Sequence, residues 1–311
     1  MPNRLLLNAA GSDRLRGLVA GSAMTRQVVR RFVAGEENDE VVAVARRLTA
    51  AGMHVTIDHL GEDTTTLSQA EGVRDTYRAL LASLGRAGLA ASAEASVKLS
   101  ALGGSLPVDG RDHAYRLTRD ICAAAAAAGC AVTIDMEDHS TVDTTLAVLH
   151  DLRAEFPWVG VALQACLHRT VSDCRDLAYA GSRVRLVKGA YAEPASVAHV
   201  RSRQVDDAFE HCLRVLMAGD GYPMVATHDP RLVDSAIRLA RDNGRGAGDF
   251  EFQMLYGIRA NEQARLAGEG HRMRVYLPYG HDWYGYFTRR LAEKPANLLL
   301  LARSFAPGAA N

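Results

Sequence analysis

Near the end of the sequence Arg289, Arg290 and Glu293 follow closely on Trp283, Tyr284 and Tyr286. Glu293 lies four residues after Arg289 and three after Arg290, so on one helix all three reach adjoining faces. On a surface they would form an ion pair worth little. At the mouth of a site, two planar guanidiniums suit the grip of a small carboxylate. Other polar residues close short apolar runs: Asp58, Lys98, Asp135 with Glu137, Gln164, Lys188, His228, Gln253 and Tyr276. Singly each has a structural reading: an Asp caps a helix, and a Tyr packs with its hydroxyl satisfied. Lys188 admits Schiff-base chemistry, because burial lowers a lysine pKa. Against this, Gly189 and Ala190 leave room for something large to lie on the backbone. His54, His59 and His228 with Asp135 suggest a barrel metal hydrolase, but the HxH pair such sites often draw from the first strand is missing. Arg185 precedes Lys188 by three residues, which puts the two on opposite faces of a regular strand unless it bulges. The sequence alone leaves the side of Arg185 open.

The runs that would position these groups begin at His54, Ser96, Val132, Gly160, Val184, Pro223, Phe250 and Arg274. Each reads as a short buried strand. Between most of them lie helical patterns, such as Val73, Tyr77, Leu80 and Leu84, with helix stops at Gly129, Gly181 and Gly244. Strand and helix alternating eight times is the arithmetic of an α/β (β/α)8 barrel, a TIM-type barrel, whose chemistry sits at the C-terminal strand ends. An open doubly wound sheet fits less well, because no GxGxxG follows the first strand. Residues 1–50 hold two helical patterns, around Leu15 to Phe32 and Asp39 to Ala51, expected to cap the barrel. Residues 51–311 are expected to form the catalytic barrel, with a final helix at its mouth.

The 311 residues carry 36 Lys and Arg against 36 Asp and Glu, so nothing favours broad capture of nucleic acid. Aromatics are only 6%, which argues against base-stacking platforms. The 5 cysteines form no CxxC pair and read as reduced, packed thiols. The apolar run near the start is too short for a signal peptide, and no stretch approaches a membrane span. A cytoplasmic protein is expected, with peripheral membrane contact left open.

These segments together resemble the proline dehydrogenase family, flavin-dependent barrels that oxidise L-proline to Δ1-pyrroline-5-carboxylate, the first step of proline catabolism towards glutamate. The resemblance is carried by SVKLSALG from Ser96, DMED from Asp135, LQACLHR from Leu163, RLVKGAY from Arg185, ATHD from Ala226, EFQMLYGIR from Glu251, VYLPYG from Val275 and YFTRRLAEKPAN from Tyr286. The length is similar to that of the small monofunctional bacterial form. The resemblance implies that Lys98, Arg289 and Arg290 hold the substrate carboxylate, while Asp135, Tyr276, Tyr286 and Leu255 line the pocket. It implies FAD on Met136, Gln164, Arg185, Lys188, Gly189, Ala190, Thr227, His228 and Glu293, with Arg185 near the flavin N5. Asp135 and Arg185 take the catalytic roles, and Glu62 pairs with Arg289 as a gate. The implied electron acceptor is a quinone, and no metal is implied. Cys166, His168 and Ala192 depart from the family pattern, which touches the flavin pocket and not the chemistry. A Schiff-base lyase on Lys188 and a non-catalytic binding barrel are the alternatives.

Overall fold

A computed structural model describes residues 29–286. Most of the first expected helix, and the stretch with Arg289, Arg290 and Glu293, lie outside the described residues. Eight strands follow in order: β1 (His54–His59), β2 (Ala93–Val97), β3 (Ala131–Ile134), β4 (Gly160–Gln164), β5 (Arg183–Val187), β6 (Tyr222–Ala226), β7 (Glu251–Leu255) and β8 (Met273–Tyr279). They pair in parallel with their sequence neighbours, and β8 closes onto β1, so the sheet is a closed barrel. Helix α1 (Asn38–Ala50) precedes β1. Helices α2 (Leu67–Arg86), α3 (Gly110–Ala128), α4 (Val142–Arg153), α5 (Thr170–Leu177), α6 (Ser202–Ala218), α7 (Pro230–Asp242) and α8 (Ala260–Gly268) each follow one of the first seven strands. This is the expected TIM-type architecture.

Local chemistry sets the helix starts at the strand-end side. Thr66 and Gln69 form a reciprocal capping box on α2, at 3.3 and 3.2 Å. Asp229 caps α7 by accepting from Arg231 N at 3.1 Å, with Pro230 in the first turn, where its missing N–H costs nothing. Gly129 ends α3 in the left-handed region, as expected. Helix α5 stops earlier than Gly181, at Leu177, because the chain must turn before β5.

The strands read as short buried runs; in the structure most of them alternate an apolar outward side with a polar inward side, while β4 and β6 turn Gly160 and Met224 inward. Val55, Ile57, Ala95, Val97, Val132 and Ile134 face the helices in one apolar core. The residues between them point inward and are polar: Thr56, Asp58, Glu94, Ser96, Thr133, Asp135, Arg183, Arg185, Glu251 and Arg274. Register keeps these residues in layers, with Thr56 opposite both Glu94 and Tyr276, Ser96 opposite Thr133, and Gln253 opposite Arg274. The second strand starts at Ala93, ahead of the expected Ser96, because Ala-Glu-Ala carries apolar signal only at alternate positions. Gln253 therefore lies mid-strand and not at the mouth; its Nε2 donates to Glu251 Oε1 at 2.6 Å. Tyr276 is also mid-strand, but its hydroxyl reaches the upper layer.

Candidate active site

Asp58, Ser96, Lys98, Asp135, Arg185 and Tyr276, on or just beyond β1, β2, β3, β5 and β8, form one network inside the barrel. Lys98 Nζ donates to Asp58 Oδ1 at 2.7 Å and stands 3.8 Å from Asp135 Oδ2. Tyr276 donates to Asp135 Oδ2 at 2.8 Å. Arg185 Nη1 donates to Asp135 Oδ1 at 2.6 Å and to Ser96 Oγ at 2.8 Å. The Arg185 guanidinium also lies over the Tyr276 ring, 5.4 Å from its centre. Arg185 points into the barrel, whereas Lys188 lies one residue beyond the end of β5, paired with Asp206 and Asp229.

The charges in this layer are set by each other. Burial alone would discharge Lys98, but Asp58 and Asp135 outweigh it and raise its affinity for the proton. Burial pushes the Asp58 carboxyl up against the opposing pull of Lys98. The Tyr276 phenol is pushed well above its ordinary range by burial, then by Asp135 and Asp58, so at neutral pH it is a proton donor in a hydrogen bond and not a base. Lys98 keeps 11% of its side chain exposed, towards the mouth. An ammonium held this way can take an anionic ligand. It cannot serve as the neutral amine that Schiff-base chemistry needs.

Beneath lies a second ionic layer. Glu94 accepts from Arg185 Nη2 at 2.7 Å, Arg183 Nη2 at 2.6 Å and Thr56 Oγ1 at 3.0 Å. Burial opposes its charge, but Arg183, Arg274 and Arg185 prevail and hold the carboxyl far below its usual range. Glu251 and Arg274 pair at 2.7 Å further down. Asp58, Glu94, Asp135 and Glu251 thus face Lys98, Arg183, Arg185 and Arg274, and the interior is balanced.

Around the rim, Ser100 N donates to Glu137 Oε2 at 3.0 Å, and the Ser100 hydroxyl reaches Oε1. The Ser100 carbonyl accepts from Thr64 N at 3.3 Å, which anchors the loop carrying Glu62. The exposed Glu62 carboxylate on this loop adds to the charge that raises the proton affinity of Lys98. Gln164 Nε2 donates to the carbonyls of Met136 and Glu137. Lys188 pairs with Asp206 at 2.5 Å and Asp229 at 3.4 Å, and Arg231 shares both carboxylates. Thr227 Oγ1 accepts from Asp229 N at 3.1 Å. His228 Nε2 accepts from Leu255 N at 2.9 Å, and Leu255 is the register partner of Tyr276. Tyr286 is buried with Val29, Phe32, Leu60 and Trp283.

Two observations bear on a planar cofactor. The buried Arg185 Nε has no hydrogen-bond partner among the described residues. Gly189, at φ +111°, lies so close to Cys166 and Gln164 that a Cβ there would collide with them. Gly189 and Ala190 thereby leave a short exposed stretch of backbone carrying no more than a methyl group, beside Lys188 and Arg231 with their partners Asp206 and Asp229. A flat ring with a charged tail fits that surface.

Four contributors were not singled out from sequence. Ser96 and Glu94 precede Lys98 at strand spacing, so the period-two pattern could have found them. Asp58 was noted only as a strand end. Tyr191, beside Gly189 in RLVKGAY, has its phenol pushed up by burial, then by Glu62 and Glu137, with Lys98 opposing. The residue itself stays 39% exposed. Among the described residues no group of three or more His, Cys, Asp or Glu could hold a metal ion. The described Cys122, Cys130, Cys166, Cys174 and Cys212 are all free and buried.

Comparison with known proteins agrees with the resemblance. Residues 41–303 match the family model for proline dehydrogenase. Proline dehydrogenase 1 of Bacillus subtilis is 39% identical over 273 residues, covering 88% of this chain and 89% of its own length. Proline dehydrogenase of Deinococcus radiodurans is 38% identical over 283 residues, covering 90% and 91%. Among solved structures, proline utilization A from Bdellovibrio bacteriovorus, inactivated by N-propargylglycine, superposes with a TM-score of 0.80 at 24% identity. That match covers 92% of this chain and 34% of the other, and speaks for the fold.

Proposed function

The chain belongs to the proline dehydrogenase family, and from that premise we propose that it oxidises L-proline to Δ1-pyrroline-5-carboxylate on bound FAD. Bound FAD would supply the hydride acceptor for this oxidation, with a quinone as the onward electron acceptor. The observation that carries the reading is Lys98: an ammonium pinned by Asp58 at 2.7 Å, yet open to the mouth on its remaining side.

In this reading Lys98, with Arg289 and Arg290, binds the proline carboxylate. Asp135 holds Tyr276 and Arg185 in place from its two oxygens. Tyr276, Leu255 and Tyr286 form the apolar wall against the ring, and Glu62 closes over the mouth with Arg289. Arg185 offers its Nε–H towards the cofactor. Lys188 serves the phosphates, and Glu293 the rest of the cofactor. Met136, Gln164, Gly189, Ala190, Thr227 and His228 form the bed. Fixed orientation is the main contribution of the protein, since near-attack geometry alone is worth about 7–11 kcal/mol in the best cases. Among the described residues no helix is long and apolar enough to cross a membrane.

The test is product formation. Purified protein given FAD, L-proline and a soluble quinone should convert proline to the cyclic imine, two mass units lighter, by mass spectrometry. Unchanged proline after many equivalents of acceptor would refute the reading.

A further inference from the structure

Glu94 is buried at the heart of the barrel, below the layer that faces the mouth. Its two oxygens are divided: Oε1 accepts from Arg185 and Thr56, and Oε2 accepts from Arg183. Arg185 is consequently held from two sides, by Glu94 below and by Asp135 and Ser96 above. With both terminal nitrogens engaged, the guanidinium plane is fixed. Its charge is shared between one carboxylate at the mouth and one in the floor. Glu94 and Arg185 are both buried, and in an interior of low effective dielectric a unit charge one contact away from Arg185 is felt by whatever Arg185 faces.

We propose that Glu94 is a positioning residue: from the barrel floor it fixes the Arg185 guanidinium and offsets part of its charge, setting how readily the bound flavin accepts electrons. The inference rests on the reading that Arg185 faces the flavin. Reduced flavin carries more negative charge than oxidised flavin, so a more positive surrounding favours reduction. Arg183 is the counterweight. It pairs with the other oxygen of Glu94 and makes no contact with Asp135 among those observed. Removing Glu94's charge and removing Arg183's charge should therefore act on the flavin in opposite directions.

The experiment is a reductive titration of the flavin-loaded proteins with dithionite against a reference dye, which needs no proline. In Glu94→Gln the equilibrium should move at least tenfold towards reduced flavin, about 30 mV for a two-electron couple. In Arg183→Met it should move at least threefold the other way. The double variant Glu94→Gln/Arg183→Met, which removes one charge of each sign, should return to within threefold of the wild type. If Glu94→Gln does not fold, the Arg183→Met shift and the double variant carry the test. In every folded variant KM for proline should stay within twofold, because neither residue reaches the mouth. A merely structural role predicts lowered melting temperatures with unchanged potentials. Unchanged potentials, or shifts of the same sign in both single variants, would overturn the proposal. A wild-type protein that takes up no flavin would overturn the functional reading instead, and is recognised before any variant is made.

Discussion

Tyr276 on the last strand donates its hydroxyl to Asp135, one residue beyond the end of the third strand, 2.8 Å across the barrel mouth. The bond joins strands that are not neighbours, so the barrel itself sets it. Tyr276→Phe removes a hydrogen bond to a charged group, worth about 1.5–3 kcal/mol. With ~1.4 kcal/mol per tenfold, kcat/KM for proline should fall roughly 10- to 100-fold, by steady-state kinetics. A loss below threefold would leave the tyrosine as packing alone.

Asp135 anchors more than Tyr276. Asp135→Ala leaves the buried Arg185 with only Glu94 as its charged partner. Breaking a buried ion pair from one side costs about 3–5 kcal/mol. Both a clear fall in melting temperature and a loss of turnover are expected, by calorimetry and kinetics on one preparation. Turnover at the wild-type level would make Asp135 structural.

The mouth cation can be removed without stranding its partner. In Lys98→Met/Asp58→Asn both members of the 2.7 Å pair are neutral. KM for proline should rise about 10- to 100-fold through loss of one charge-assisted contact. Thermal stability should change less than in Asp135→Ala. An unchanged KM would remove Lys98 from carboxylate binding.

Much of this was legible in sequence, for identifiable reasons. Eight strands and their intervening helices followed from alternating apolar segments, and Lys98, Asp135 and Arg185 stood out in motifs. The ionic floor was not read. Glu94, Arg183, Glu251 and Arg274 lie at the starts of strands, where attention to C-terminal ends passes over them. Each is charged, so each weakened the apolar run it belongs to. Only barrel closure shows that their positions share one interior. The side taken by Arg185 likewise depended on a partner, Glu94, that lies 91 residues away.

That floor makes a prediction about acid. The Glu94 carboxyl, ordinarily near 4.5, is held lower in the folded protein by its arginines, against burial. A depressed carboxyl contributes stability that is complete above the unfolded value and is lost as pH falls through and below it. Unfolding free energy should therefore drop steeply below about pH 4.5. In Glu94→Gln/Arg183→Met that acid limb should be shallower, by chemical denaturation across pH 3–6. Parallel curves would contradict the assignment.

Packing inside the barrel is equally specific. Gly160 begins β4 facing inward, where a Cβ would come within 2.6 Å of Thr133 Oγ1 and 3.2 Å of Met224 Cε. Gly160→Ala should cost about 1–3 kcal/mol by overpacking, read as a lowered melting temperature. A neutral or stabilising effect would mean that the interior is looser than described.

The central claim is that a cationic mouth presents proline to a bound flavin. Its most direct test is the absorption spectrum of the purified protein before and after anaerobic addition of L-proline. The account predicts a yellow protein whose visible bands bleach on addition, and bleach far less with D-proline. A protein that binds FAD yet keeps its oxidised bands with excess L-proline would contradict it.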